Sequence, residues 1–364
     1  MTAGPTGPTA SNGPVYGRTY DEGRLAEVDA LRETVATLPA RLAGGVWRPE
    51  WRRVLFAGIG ASAAALASPL YALRAAGVDA WRTDCSDYPV AAGRPDVVVA
   101  LSQSGRSRET ADLVTRFRRA GVPTLAVTNA DDSPLREAAG AALTLGAQPD
   151  SRVSTVGFVV TYAAVAMLAE VAASGTASGA ASGSVDGAVD GRWRELPDLI
   201  EESVARNAEV LGEFAAGPLA RGSADIVAAA PQLTTAEAVA LLLREGPLVP
   251  SAAYGTRAYL HGPMDCASEH TSHVVVGGAR ELALARQLTQ KPTGVLAVTD
   301  GSAPVPAGVR PVTVPAHLTA PQRALVEVCV LQELVAATAA VRGNPVDEVA
   351  FAREDTKIAA LAEL

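Results

Sequence analysis

The chain has 364 residues, of which 48% are hydrophobic and 19% charged, and it carries a net charge of −8. Its length suffices for two domains, and an acidic chain without a basic stripe of Lys and Arg argues against nucleic-acid binding. Aromatic residues make up only 4% of the chain, which favours tightly packed α/β layers over an aromatic-rich all-β fold.

The chain begins with a segment rich in Gly, Pro, Ser and Thr, residues 1–24, which predicts a flexible tail. This segment lacks the basic start and apolar run of a signal peptide. No apolar segment of the chain reaches the ~18 uninterrupted residues of a membrane helix. Three cysteines, Cys85, Cys266 and Cys329, lie far apart and form no CxxC pair. Reduced thiols and a soluble, cytoplasmic protein without a membrane partner are therefore predicted.

Strand and helix patterns alternate through residues 25–173, which are predicted to form a first domain. The predicted strands are RRVLFAGIG, PDVVVALS, PTLAVTN and AALTLGA. The predicted helices are ASAAALASPLYALRAAG, SRETADLVTRFRRAG, SPLREAAG and TVGFVVTYAAVAMLAEVAA. Such alternation is typical of a doubly wound parallel sheet.

A Gly/Ser/Ala-rich stretch, residues 174–191, predicts a flexible linker to a second domain, residues 192–345. This second part repeats the pattern, with helices at WRELPDLIEESVARNAEVLGEFA, TAEAVALLLREG and PQRALVEVCVLQELVAATAAVRG, and strands at ADIVAAA, HVVVGGA and TGVLAVTD. Residues 346–364 are predicted to be a C-terminal tail. The chain is thus predicted to contain two similar α/β domains.

A cluster of small polar residues, SQSGRS, follows the strand PDVVVAL directly. In open parallel sheets, ligands bind beyond the carboxyl ends of the strands, where backbone N–H groups and helix N-termini attract phosphates. The first strand ends similarly in GIGAS, and RVST opens the long helix of the first domain. The alternative for each cluster is simple helix capping. The candidate phosphate-binding residues are Gly60, Ser62, Ser102, Gln103, Ser104, Ser107, Ser154 and Thr155.

Neither a nucleotide cofactor nor a metal is predicted. GIGAS lacks the third glycine of GxGxxG, and Asp79 and Asp84 are weak candidates for an acidic ribose ligand. Glu269, His270 and His273 offer metal-ligating side chains, but the two histidines lack the i, i+4 spacing of a zincin helix. We interpret these three residues as polar residues in a loop before a strand.

The motifs GIGAS, SQSGRSRET, VTNADDSPL and RVST, in this order and spacing, resemble the sugar isomerase (SIS) domain family, which binds phosphosugars. The stretch LLLREGPLVPSAAYGTRAYLHGPMD resembles the second SIS domain in the isomerase portion of glucosamine-6-phosphate synthase. The resemblance covers roughly residues 25–350. It implies two flavodoxin-like α/β domains, a homodimer, and a phosphate site at Ser62, Ser102, Gln103, Ser104 and Ser107.

Glu245 and His261 are the candidate catalytic residues. Aldose–ketose isomerisation needs a base that moves a proton between neighbouring carbons and a group that helps to open the sugar ring. From the residues alone, a solvated glutamate and a structural histidine are the alternatives. The resemblance implies that Glu245 is the base and that His261, sixteen positions later, opens the ring from the neighbouring subunit.

The chain departs from the synthase pattern in three ways. Leu260 stands where the synthase has a lysine before the histidine, and no glutamine-hydrolysing half is expected. The synthase forms a Schiff base through a C-terminal lysine. Here Asp347 is in register, but Arg353 and Glu354 occupy the lysine region, and Lys357 is the nearest substitute. These departures favour enolisation by Glu245 over imine catalysis.

The sequence therefore predicts an isomerase, or a deaminase or deglycase, that acts on a ketose- or aminosugar-6-phosphate. Two alternatives remain open: a non-catalytic phosphosugar-binding regulator, and an enzyme for an unusual or unphosphorylated sugar. The first forty residues show no basic helix-turn-helix, and the pair Glu245 and His261 favours the enzyme.

Overall fold

The computed structural model describes residues 17–86, 88–89, 94–177, 188–220, 222–351 and 353–364. Within them the helices are α1 (Tyr20–Ala43), α2 (Ala61–Ala65), α3 (Ala67–Ala75), α4 (Arg108–Arg119), α5 (Pro134–Ala138), α6 (Val156–Ala177), α7 (Leu196–Ala216), α8 (Leu233–Glu245), α9 (Thr256–Tyr259), α10 (Ala279–Leu288) and α11 (Ala320–Arg342). The strands are β1 (Arg53–Ala57), β2 (Asp79–Thr83), β3 (Val97–Leu101), β4 (Thr124–Thr128), β5 (Ala141–Thr144), β6 (Ser223–Ala228), β7 (Ser251–Gly255), β8 (Thr271–Val276), β9 (Gly294–Thr299) and β10 (Arg310–Thr313).

The strands form two parallel sheets with the same internal order. The first sheet runs β2-β1-β3-β4-β5 and the second β10-β9-β8-β6-β7. Counted from the first strand of each half, both orders are 2-1-3-4-5, which is the flavodoxin-like arrangement. In register, Phe56 of β1 lies between Arg82 of β2 and Val99 of β3. The predicted fold class, two flavodoxin-like α/β units, is confirmed.

The two sheets share one hydrophobic core. Alternate residues of β1, such as Val54 and Phe56, face a central cluster that also contains Ile226 of β6 and the buried sides of α1, α6, α7, α8 and α11. The intervening residue, Leu55, packs against α4 and α5 on the outer face instead. Because side chains alternate along a strand, both faces of each sheet are covered, which explains the continuous Val-rich runs.

Helix α8 of the second half packs directly on the first half. The Thr234 hydroxyl donates to the Ala64 carbonyl over 2.8 Å and accepts from the Ser68 amide over 2.9 Å. Glu237, one helical turn further on, pairs with both terminal nitrogens of Arg82 in β2. These contacts fix the position of α8 relative to the first sheet.

The described segments differ from the sequence prediction at both predicted connections. Helix α1 begins at Tyr20, which is buried and whose amide donates to Asp347, so residues 20–24 are helical rather than part of a tail. Helix α6 continues to Ala177 and therefore includes the start of the predicted linker. Residues 1–16 and 178–187, the rest of the tail and most of the linker, lie outside the described residues.

Two helices, α6 and α11, are long and apolar enough to span a membrane by length and composition alone. Both are mostly buried inside the fold. Their apolar character is accounted for by the central core, which they cross between the two sheets.

Glu27 is a buried acid in this core. It lies on α1 against Cys329 and Gln332 of α11, and burial raises the pKa of Glu27 to about 8. Arg24 and Glu333, which also flank it, have smaller and opposing effects. The folded protein therefore favours the neutral acid, whereas the unfolded chain ionises near pH 4.5.

We expect the free energy of unfolding to fall as the pH rises from about 4.5 to about 8, and to level off above. The contribution of Glu27 is at most on the order of 5 kcal/mol, since its pKa rises from 4.5 to about 8. Glu27→Gln removes an ionisable group and should flatten this part of the pH profile, as measured by urea unfolding at pH 5.5 and 8.5. Glu209→Gln, on the exposed side of α7, is the matched control. An unchanged pH slope in Glu27→Gln would contradict the assignment.

Candidate functional site

The serine loop, residues 102–107, lies at the carboxyl end of the first sheet. It connects β3 to α4, and β3 pairs with β1, so the loop adjoins the GIGAS turn at the position where the strand order reverses. Gly105 has a φ of 65°, and a Cβ there would collide with the Ser133 side chain. The Leu135 amide donates to the Gly105 carbonyl over 3.0 Å. The backbone of the loop is therefore fixed and requires glycine at this point.

The hydroxyl groups of the serine loop converge. Ser102 is only 1% exposed, and its Oγ lies 3.2 Å from Oγ of Ser107. Ser107 is the N-cap residue of α4, yet its hydroxyl makes no capping hydrogen bond. Instead Nζ of Lys357 lies 3.2 Å from Oγ of Ser107 and 3.4 Å from Oγ of Ser104. Helix capping therefore does not account for Ser107.

Other predicted residues of this group also lie at the same edge. Gly60, with a φ of 60°, and the buried Ser62 begin α2 directly after β1. The Gln103 side chain has a buried amide nitrogen, Nε2, without a hydrogen-bond partner among the described residues. The edge thus combines hydroxyls, an amide donor and the N-terminal end of α4.

Ser154 and Thr155 are engaged elsewhere. The Ser154 hydroxyl donates to Oδ2 of Asp150 over 2.6 Å, and the Thr155 amide donates to Oδ1 over 3.0 Å. The Thr155 hydroxyl also lies 3.0 Å from Oγ of Ser151. The Asp150 carboxylate, not either hydroxyl, therefore accepts the amide at the start of α6, and both hydroxyls are bonded to Asp150. The place of Ser154 and Thr155 in the phosphate site stays a prediction.

Residues 353–358, close to the C-terminal end of the chain, form a strap over the serine loop. Lys357 makes an antiparallel bridge with Ser107. The Arg108 amide donates to the Thr356 carbonyl over 3.2 Å, and the Ile358 amide donates to the Arg106 carbonyl over 3.0 Å. Ile358 is 2% exposed. Part of the predicted C-terminal tail is therefore attached to the candidate site. The sequence alone did not predict this backbone pairing.

Glu245 reaches this region from the second half of the chain. It is the last residue of α8, and its Oε1 lies 2.9 Å from a terminal nitrogen of Arg353 in the strap. Arg152 donates to the Glu245 carbonyl over 2.9 Å and also to the Val346 carbonyl. Partial desolvation lowers the pKa of Lys357, while the negative charges of Glu109 and Glu245 act in the opposite direction. Glu245 and Lys357 therefore lie within each other's electrostatic reach.

His261 is not brought to Glu245 within one chain. It lies on an exposed turn after α9, and its imidazole has no hydrogen bond or ion pair with another described residue. The group Glu269, His270 and His273, for which no metal is predicted, is likewise divided. Glu269 and His270 are exposed, whereas His273 is buried in β8, where its Nδ1 lies 2.9 Å from the Tyr259 hydroxyl. Burial lowers the pKa of His273 to about 4.

The equivalent edge of the second sheet carries an internal carboxylate. After β8 the turn Gly277–Gly278 leads into α10, as the serine loop leads into α4. Glu281, 5% exposed, accepts from the Gly278 amide over 3.0 Å and from the Thr256 hydroxyl over 2.8 Å. A Cβ at Gly277 would lie 2.6 Å from the Glu281 side chain. A protein carboxylate therefore occupies the position at which an anion would meet the loop amides.

A family model for the SIS domain matches residues 90–173, which contain the serine loop. The predicted SIS resemblance is confirmed. No curated protein matches the chain in sequence.

Several solved structures share the SIS fold of both halves. The C-terminal domain of glucosamine-fructose-6-phosphate aminotransferase from Francisella tularensis has a TM-score of 0.75 at 15% identity, covering 92% of this chain and 99% of that one. Tagatose-6-phosphate ketose/aldose isomerase from Escherichia coli gives 0.74 at 15%, covering 93% and 98%. Glucosamine-6-phosphate deaminase from Thermotoga maritima gives 0.71 at 17%, covering 90% and 96%. At these identities the similarity establishes the fold.

We expect the double substitution Ser102→Ala and Ser104→Ala to weaken the binding of a hexose 6-phosphate at least tenfold while the fold is kept. Each serine hydroxyl that donates to the phosphate makes a charge-assisted hydrogen bond, and alanine cannot make it. Isothermal titration calorimetry gives the affinity, and circular dichroism checks the fold. Ser154→Ala is the matched comparison, because its hydroxyl bonds Asp150. Equal affinities of wild type and the double variant would remove the serine loop from the binding site.

Proposed function

We propose that the protein is a phosphosugar isomerase, or an aminosugar-phosphate deaminase, of the SIS type. One observation carries the proposal: the strap links Glu245 to the serine loop of the first sheet, because its Arg353 pairs with the Glu245 carboxylate and its Lys357 contacts hydroxyls of the loop. Enzymes of both kinds occur among the structures that share the fold. The site therefore combines an anion-binding loop with a carboxylate suited to proton transfer.

The serine loop binds the phosphate of the substrate in this proposal. Serine hydroxyls and backbone amides donate to phosphate oxygens, and the positive end of the α4 dipole favours the negative charge. Glu281 already occupies the equivalent edge of the second sheet. One phosphosugar for each chain, bound at the first sheet, is the arrangement that this asymmetry supports.

Glu245 is the proposed base. Its carboxylate removes the proton from C2 of an open-chain aldose phosphate while the carbonyl oxygen at C1 takes up a proton from water, which gives an enediol. Glu245 then returns its proton to C1 and the C2 hydroxyl releases its proton to water, so that the ketose forms without an oxidant or reductant. Arg353 contacts Oε1 of Glu245, and no described residue donates a hydrogen bond to Oε2. The second carboxylate oxygen is thus free to carry the proton. In an aminosugar phosphate the same proton transfer precedes loss of the amine.

Glu245→Gln should abolish turnover and keep phosphosugar binding within about threefold. The amide has the shape of the acid but cannot take up the proton, and losing a general base costs about a hundredfold to ten-thousandfold in rate. Exchange of the C1 or C2 hydrogen of fructose 6-phosphate and glucosamine 6-phosphate with deuterated water, followed by NMR, measures the step. Glu354→Gln, an exposed glutamate of the strap, is the control.

Exchange at the wild-type rate in Glu245→Gln would assign the proton transfer to another group. Tight phosphosugar binding without any exchange in the wild type would favour the second candidate, a non-catalytic phosphosugar-binding protein. The ion pair between Arg353 and Glu245 is the observation that favours this second candidate.

We further propose a homodimer in which His261 opens the sugar ring in the site of the neighbouring subunit. Its exposed imidazole has no described partner within its own chain. Exposed apolar side chains also occur in the second half of the chain: Leu248 follows α8, Val341 lies in the last turn of α11, and Phe351, 82% exposed, precedes the strap. A second copy would cover such surface.

Co-expression of Glu245→Gln and His261→Asn chains under separate tags tests this arrangement. Each variant alone is expected to be inactive. A randomly mixed population should recover about a quarter of the wild-type activity, because half of its dimers are mixed and one of their two sites is intact. Light scattering supplies the oligomeric mass. A monomeric mass, or no recovery in the purified mixed dimer, would contradict a shared site.

A further inference from the structure

We infer that Lys357 is a ligand of the bound anion, so that the C-terminal strap supplies the cation of the anion subsite. The inference deepens the proposed function and rests on its anion-binding loop. It differs from the Schiff-base role that the family resemblance implies for a C-terminal lysine.

Lysine is rare in this chain. Of its 31 basic residues only Lys291 and Lys357 are lysines, and all others are arginines. Both lysines are exposed, and Lys291 lies in the turn after α10. Lys357 differs in that its ammonium nitrogen lies 3.2 Å from Oγ of Ser107 and 3.4 Å from Oγ of Ser104. One of two lysines therefore lies against two candidate phosphate-binding hydroxyls.

The strap fixes Lys357 in this register. Its neighbour Ile358 is 2% exposed, and the backbone groups on either side of Lys357 bond to Arg106 and Arg108. Because side chains alternate in an extended segment, burying Ile358 turns Lys357 to the opposite side, where the hydroxyls lie. The position of the ammonium group thus follows from the backbone pairing.

Two of the nearby cations, Arg108 and Arg353, have other partners. The Arg108 guanidinium pairs with Asp355 over 2.8 Å and donates to the Glu363 carbonyl. Arg353 pairs with Glu245. Along an extended strap, four residues separate Arg353 from Lys357 by at most ~14 Å. Of the two strap cations, Arg353 therefore lies beside the Glu245 carboxylate and Lys357 lies beside the serine loop.

The chemistry of the contact suits an anion ligand. Serine hydroxyls now accept from the ammonium group, and they can rotate to donate to a phosphate oxygen, since a hydroxyl is both donor and acceptor. The ammonium group carries three donors and can bind the same oxygen. Partial desolvation lowers the pKa of Lys357, and a bound dianion would favour its charged form again.

The test titrates the full-length protein with inorganic phosphate and with fructose 6-phosphate. We expect Lys357→Ala to weaken both ligands about tenfold or more, and Lys357→Arg to stay within about threefold of wild type because it keeps the charge. Lys291→Ala, the change of the only other lysine, should leave both affinities unchanged. Thermal melting checks that each variant folds.

Three results would overturn the inference. Unchanged phosphate affinity in Lys357→Ala would show that Lys357 does not contact the anion. Tighter affinity would show that the strap inhibits anion binding. Borohydride reduction that attaches the sugar to Lys357, together with full phosphate affinity in Lys357→Ala, would identify it as an imine-forming amine. The serine double variant separates the two failures. If it loses phosphate while Lys357→Ala does not, only this inference falls; if neither variant loses phosphate, the anion-binding loop of the proposed function falls too.

Discussion

The helical layer between the two sheets determines where the chemistry can lie. Parallel strands are apolar on both faces and must be covered on both, and here one set of helices covers the inner faces of both sheets. Helix α8 belongs to this layer, and Thr234 and Glu237 hold it against the first half. Glu245, the last residue of α8, consequently lies towards the edge of the first sheet, although α8 belongs to the second half of the chain. The guanidinium of Arg152 at the Glu245 carbonyl completes the attachment from the first half.

The shared layer also explains how two similar halves come to differ. Both sheets have the same strand order and the same turn from a third strand into a helix. In the first, the turn presents hydroxyls and is met by residues from the second half and from the strap. In the second, Glu281 folds back onto the turn and satisfies the Gly278 amide. A buried carboxylate in this position repels a second anion and satisfies the donor that would bind it, so duplication of the fold does not duplicate the site.

The sequence predicted the central strands, helices α6, α7 and α11 and the serine loop because their signals are local, but it did not predict helices α1 and α10. The strands that it did not predict, β2, β7 and β10, are all sheet edges. An edge strand is paired on one side only and tolerates polar residues or a proline such as Pro311, so it lacks the continuous apolar run. Ser154 and Lys357 could not be resolved in this way. Whether the Ser154 hydroxyl is available to a ligand depends on the position of the Asp150 carboxylate, and the place of Lys357 depends on backbone pairing between segments 250 residues apart in the chain.

The strap is held unevenly, and this unevenness bears on how a ligand would meet it. The end near Lys357 is anchored by a buried side chain and backbone hydrogen bonds. The end near Arg353 relies on an ion pair whose arginine is 62% exposed, and exposed ion pairs contribute about 0–1 kcal/mol. On the proposed function, a phosphosugar would therefore displace Arg353 from Glu245 at little cost, while the backbone beside the serine loop stays in place. The proposed binding would exchange weak contacts between the ammonium and neutral hydroxyls for charge-assisted bonds to phosphate, and it would free the proposed base without unfolding the strap.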